Sequence, residues 1–87
     1  MNITVYSRPN CVFCSKVKNL IESYNLHMDE KMADKDFERE WLRKYYPQAT
    51  TFPVVIIDGM YIGGFNETVR YLAAASPINE STQFLQE

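Results

Sequence analysis

Apolar and polar positions alternate along the chain in patterns that change period several times, and each change marks an element. Ile3 to Tyr6 is short, β-branched and aromatic, which predicts a buried strand. Ser7-Arg8-Pro9-Asn10 carries turn chemistry, with Asn10 placed to cap the next element. From Cys11 to Tyr24 the apolar positions Cys14, Val17, Leu20, Ile21 and Tyr24 share one helical face, and Lys16, Lys18, Asn19, Glu22 and Ser23 fill the other. Asn25, tolerant of left-handed geometry, ends that helix. A strand with poorer alternation comes next, over His27 to Met32.

Asp34 or Asp36 is placed to cap a second helix running through Tyr46, with Phe37, Trp41, Leu42 and Tyr45 facing inward. Glu40 and Lys44 have the spacing of a helix-surface ion pair, and Pro47 closes the helix. Pro53 to Ile57 predicts a third strand, Asp58-Gly59 is a strong hairpin signal, and Met60 to Ile62 returns as a fourth. Gly63-Gly64 breaks the strand, Asn66 is placed to cap a third helix with Val69, Leu72 and Ala73 inside, and Ser76-Pro77 stops it. Residues 1–76 therefore read as one domain, and 77–87, polar apart from Phe84 and Leu85, as a C-terminal tail.

The order is β-α-β-α-β-β-α. A first β-α-β unit implies two parallel strands, and the Asp58-Gly59 hairpin adds an antiparallel pair. The resulting fold class is α/β, a mixed four-stranded sheet with helices on both faces.

Bulk composition narrows the function. With 87 residues the chain is one small domain, and 46% hydrophobic residues suffice for one core. A formal charge of -2 offers no basic footprint for nucleic acid or a membrane surface. No apolar run is long enough to span a bilayer, and the first residues carry no secretory pattern, which points to a cytoplasmic protein. In that compartment a disulfide is transient rather than a staple.

The chemistry concentrates in Cys11 and Cys14, spaced C-x-x-C at the start of the first predicted helix. Disulfide exchange needs one thiol ionised near neutral pH and a second close enough to resolve the mixed disulfide. Unpaired N–H groups and the positive dipole end of a helix lower a thiol pKa, and Arg8 adds positive charge in the same loop. That makes Cys11 the expected nucleophile and Cys14, one step further in, the resolving thiol. A closed zinc site needs four ligands, whereas the chain holds two cysteines and one histidine, His27, so no metal site is expected. C-x-x-C beside a β-α-β pattern is itself a redox reading, and the architecture is thioredoxin-like.

Over residues 2–75 the chain resembles glutaredoxins. Four stretches carry the likeness: Val5-Tyr6-Ser7-Arg8, Cys11-Val12-Phe13-Cys14, Thr51-Phe52-Pro53-Val54, and Gly63-Gly64-Phe65-Asn66-Glu67. The resemblance implies a glutathione-dependent oxidoreductase that reduces protein disulfides or glutathione mixed disulfides, with glutathione as co-substrate and no tightly bound cofactor. It implies that Pro53 is cis and lies against the cysteines, and that the Phe52 backbone pairs with the cysteine of glutathione. It further implies that Gly64, Phe65, Asn66 and Glu67 hold the γ-glutamyl end, that Arg8 lies near the glycyl carboxylate, and that Phe13 shields the site. Ribonucleotide reductase is one protein partner such a family implies, and the chain is expected to act as a monomer.

Two departures keep other readings open. Val12 stands where most dithiol glutaredoxins carry Pro, as in relatives that share an iron–sulfur cluster between two subunits. The C-V-x-C form and Pro53-Val54-Val55-Ile56 also resemble redoxins reduced directly by thioredoxin reductase, although Gly63-Gly64 favours glutathione. Trp41, alongside Phe37 and Tyr45, is expected in the core, and the charges from Asp34 to Lys44 on a solvated helix face.

Overall fold

The computed structural model describes residues 1–75 and shows the predicted order: β1 (Ile3–Ser7), α1 (Val12–Ser23), β2 (Asp29–Met32), α2 (Arg39–Tyr45), β3 (Val54–Ile57), β4 (Met60–Gly63) and α3 (Phe65–Ala75). The expected stop at Ser76-Pro77 and the tail beyond it lie outside the described residues. The sheet runs β2-β1-β3-β4, with β1 and β2 parallel and the other two pairings antiparallel. The fold is thioredoxin-like, as the pattern required.

All four residues of β3 are buried, because that strand is covered on both faces. Val55 and Ile57 join Ile3, Val5, Val17, Ile21 and Leu72 in a core between the sheet and the α1 and α3 helices. Val54 and Ile56 turn the other way and pack with Leu42 and Ala49 on the α2 side. On α1 the predicted inner face holds: Cys14, Val17 and Ile21 are buried, and Leu20 and Tyr24 pack against them. On α3 the buried positions are Thr68 and Leu72, while Ala73 is exposed.

Where the described chain turns left-handed it uses only Asn and Asp besides glycine: Asn10, Asn25, Asp34 and Asp58 all have positive φ. Their short polar side chains tolerate that region better than other L-residues. Asp58 and Gly59, at φ 52° and 81°, make the tight β3–β4 hairpin, as their sequence predicts.

The second helix departs from expectation. It begins at Arg39, not near Asp36, because the two aspartates serve a turn instead. Asp36 Oδ2 accepts the Met32 N–H at 2.7 Å, and the Asp34 N–H donates to Phe37 O at 2.7 Å. Local side-chain bonds of this kind compete with helix. The shortened helix buries one residue, Leu42, and leaves Trp41 40% and Tyr45 60% exposed rather than in the core. Instead of the Glu40–Lys44 pair, the ion pairs seen among the described residues include Lys18–Glu30 at 3.2 Å and Arg39–Asp34 at 3.2 Å.

Leu72 and Tyr45 therefore test the assignment of inside and outside. Leu72→Ala should cost about 2–5 kcal/mol in urea-induced unfolding, as buried leucines do. Tyr45→Ala should cost about 1 kcal/mol or less. Equal losses would contradict this packing.

Candidate redox site

Three segments meet at one end of the sheet, and the strand register explains why. Tyr6 at the end of β1 pairs with Val54 at the start of β3, and Val55 pairs with Gly63 at the end of β4. The loop leaving β1, the Phe52-Pro53 segment entering β3 and the Gly63-Gly64 turn leaving β4 thus share one edge. The Phe52–Pro53 peptide bond is cis.

Cys11 is the N-cap of α1, not Asn10. Asn10 takes a left-handed conformation at φ 56°, which leaves the extended N-cap conformation to Cys11. Cys11 Sγ accepts the backbone N–H of Cys14 at 3.2 Å, the bond a serine hydroxyl makes in that position elsewhere. Cys11 and Cys14 are joined in a disulfide with Cα atoms 5.2 Å apart, within the range that bridged cysteines require. Cys11 is partly exposed, and Cys14 is 3% exposed. The two sulfurs are thus unequal in access.

Around the pair, Phe13 and Val12 on the first turn of α1 are exposed. Phe13 packs at 5.9 Å on Phe65, the first residue of α3, and Lys16 Nζ lies 5.0 Å from the Phe13 ring centroid. Arg8 bends back over its own loop, donating from Nη1 to Pro9 O at 3.0 Å and Asn10 O at 3.1 Å. Phe52 is half-buried, 6.3 Å from Phe37 and 5.7 Å beneath the Arg39 guanidinium. A Cβ on Gly64 would lie 3.6 Å from Pro53 O, so the double glycine brings the start of α3 against the proline segment.

Comparison with known proteins agrees with this geometry. The glutaredoxin family model matches residues 3–62, which is more than half of the chain. The chain belongs to the glutaredoxin family. With its paired cysteines, that makes it a thiol–disulfide oxidoreductase. It is 41% identical over 66 residues to an uncharacterized glutaredoxin-like 8.6 kDa protein in the rubredoxin operon of Clostridium pasteurianum, covering 75% of this chain and 87% of that one. A hybrid peroxiredoxin of Haemophilus influenzae is 32% identical over 72 residues, covering 83% of this chain but 30% of that longer protein. Among solved structures, glutaredoxin 1 of Francisella tularensis, complexed with cacodylate, superposes with a TM-score of 0.65 at 26% identity, covering 84% of this chain and 92% of that one.

Two features of this glutaredoxin were missed by sequence reasoning. The first is the cap of α3. Asn66 does not cap; the helix opens at Phe65, and the Glu67 carboxylate returns to accept the Gly64 N–H at 2.9 Å. That is half of a capping box, with glycine in place of the usual hydroxyl residue. The spacing of Gly64 and Glu67 carried the signal. The second is Ser7, which is fully buried at the end of β1 and whose Oγ makes no hydrogen bond among the described residues.

Backbone N–H groups of Glu67 itself and of Gly64 hold the Glu67 carboxyl below the usual glutamate range, with Arg70 adding a weaker pull. A carboxyl lowered on folding contributes stability above its ordinary range and loses it as pH falls through the lowered value. Wild type should therefore exceed Glu67→Gln in urea midpoint at neutral pH, and the difference should shrink as pH falls below about 4. A difference independent of pH would contradict the charged cap. Gly63→Ala should also lower the midpoint, because Gly63 sits at φ 128° and a Cβ there would lie 2.8 Å from Glu67 Cγ.

Proposed function

We propose that the chain is a cytoplasmic, glutathione-dependent reductase of protein disulfides and glutathione mixed disulfides. The observation that carries the redox roles is the Cys14 N–H directed at Cys11 Sγ. A sulfur held there by the first turn of a helix is stabilised as a thiolate when reduced. Cys11 is the nucleophile and Cys14, buried beneath, resolves. In the first step the Cys11 thiolate forms a bond to one sulfur of the substrate disulfide, and the other sulfur leaves as a thiolate. Cys14 loses its proton and attacks Cys11 Sγ, closing the Cys11–Cys14 disulfide and releasing the second substrate thiol. Two glutathiones then return two electrons, leaving the dithiol and one glutathione disulfide.

Glutathione is supported by the neighbourhood of the pair. The Phe52 backbone precedes buried Pro53 and is offered to an extended ligand segment as an added strand would be. Gly64 gives close access beside it, with Asn66 exposed on the first turn of α3. The Glu67 carboxylate is fixed at the start of α3 by the Gly64 N–H on Oε1, and its Oε2, only 3.7 Å from an exposed Arg70, is the oxygen proposed to meet a γ-glutamyl ammonium. Phe13 and Phe65 form the apolar wall, and Arg8 supplies the positive charge of the loop for the glycyl end.

The test is a side-by-side assay on a small mixed disulfide, with NADPH and either glutathione plus glutathione reductase or thioredoxin reductase alone. Turnover is expected with glutathione, and NADPH use only with thioredoxin reductase would overturn the proposal. Cys11→Ser should reduce turnover to background, while Cys14→Ser should retain the monothiol reaction with glutathione mixed disulfides. The opposite pattern would reverse the assigned roles.

A further inference from the structure

On the sheet face opposite α1, a cavity of about 330 Å³ is lined by Tyr6, Lys31, Asp36, Phe37, Glu38 and Trp41. Neither cysteine lines it. Three of its walls are aromatic and mutually braced: Tyr6 meets Phe37 edge-on at 5.1 Å and Trp41 at 5.9 Å. Burial raises the Tyr6 phenol above its ordinary range, with Tyr46 adding to the effect, so the ring stays neutral. Asp36 and Glu38 add two carboxylates against one ammonium, from Lys31. Asp36 spends one oxygen on the Met32 N–H. Glu38 stands at the N-cap of α2 yet makes no cap bond, and among the described residues its carboxylate has neither a hydrogen bond nor an ion pair.

Aromatic faces attract cations through their quadrupole, and neighbouring carboxylates strengthen the attraction. An apolar guest would desolvate two acids without compensation, and an anion would be repelled. The volume is that of a small-ligand pocket. One wall of the cavity reaches toward the segment that enters β3: the Phe37 ring is 6.3 Å from that of Phe52, the residue preceding Pro53. We propose that this cavity binds the cationic side chain, arginine or lysine, of a protein substrate whose disulfide sits at Cys11. The identity of the partner rests on the oxidoreductase reading; the chemistry of the cavity does not.

Trp41 is the chain's one tryptophan, so its emission reports on the site directly. The oxidised protein would be titrated with acetyl-Gly-Arg-Gly-amide, its lysine counterpart, acetyl-Gly-Glu-Gly-amide and free arginine amide. The expected result is a saturable change with the two basic peptides, weakened by salt, and none with the acidic one. Glu38→Lys should weaken binding about tenfold, and Lys31→Gln should tighten it. No saturable change, an equal response to the acidic peptide, or indifference to Glu38→Lys would overturn the proposal. Free arginine amide binding as tightly as the peptides would overturn the assignment to a protein partner.

A second readout separates this from the redox reading. Turnover of a peptide mixed disulfide with a neighbouring arginine is compared with that of a neutral one. Glu38→Lys should raise KM for the basic substrate alone, leaving its kcat and the neutral substrate unchanged. A uniform loss would overturn the proposal. Failure of wild type on the neutral substrate with every donor would overturn the proposed function, while the Trp41 titration would still decide the cation site.

Discussion

The two-sided burial of β3 is the constraint on which the rest of the structure depends. Val54 and Ile56 belong to one core and Val55 and Ile57 to the other, so the strand can neither slip nor flip without exposing half of each. Its pairing with β1 and β4 then sets where three loops emerge. Had the register with β1 moved by a residue, every β3 side chain would face the wrong layer. The site is therefore assembled by hydrophobic burial well before any of its polar groups take part, and its reacting sulfurs sit on an element the core already holds.

Much of this was legible in the sequence, for identifiable reasons. The element order, the inner face of α1 and the Asp58-Gly59 hairpin come from periodicity and turn chemistry, which act over a few residues. The cysteine pair was legible because its function depends on local spacing. What failed also failed locally. Asp34 and Asp36 satisfy the rule for a helix cap and equally the rule for a side-chain turn, and only the placement of β2 decides between them. Trp41 and Tyr45 have the period of a buried face, but a seven-residue helix buries only Leu42. Arg8, Phe52, Gly64 and Phe65 could be named from resemblance, yet that their loops leave the same end of the sheet follows only from the register of three strands.

The two faces of the sheet divide the work. One packs α1 and α3 around seven fully buried aliphatic side chains, which fixes the cysteine helix. The other is aromatic, with Tyr6, Phe37, Phe52, Tyr46 and Tyr61 around Leu42, and stays partly open because α2 is short. The exposure of Trp41 results from that shortness, and so does the cavity it borders. A longer α2 beginning at Asp36 would have carried Phe37 and Glu38 into helical positions and altered the wall they now form.

The helix N-termini show how charge is distributed around the sulfurs. The first turn of α2 contains Glu40 and that of α3 contains Glu67, acids that complement the positive dipole end. The first turn of α1 has none. A carboxylate there would compete with Cys11 Sγ for the same N–H groups and set a negative charge beside the cysteine pair. The cap of α1 is instead a sulfur of the redox pair. In the disulfide, Cys11 Sγ is a neutral and weak acceptor of the Cys14 N–H; in the proposed thiolate the same bond is charge-assisted. On the proposed roles, the reduced form gains in the strength of its own helix cap, which couples the energy that holds α1 in place to the redox state of the pair.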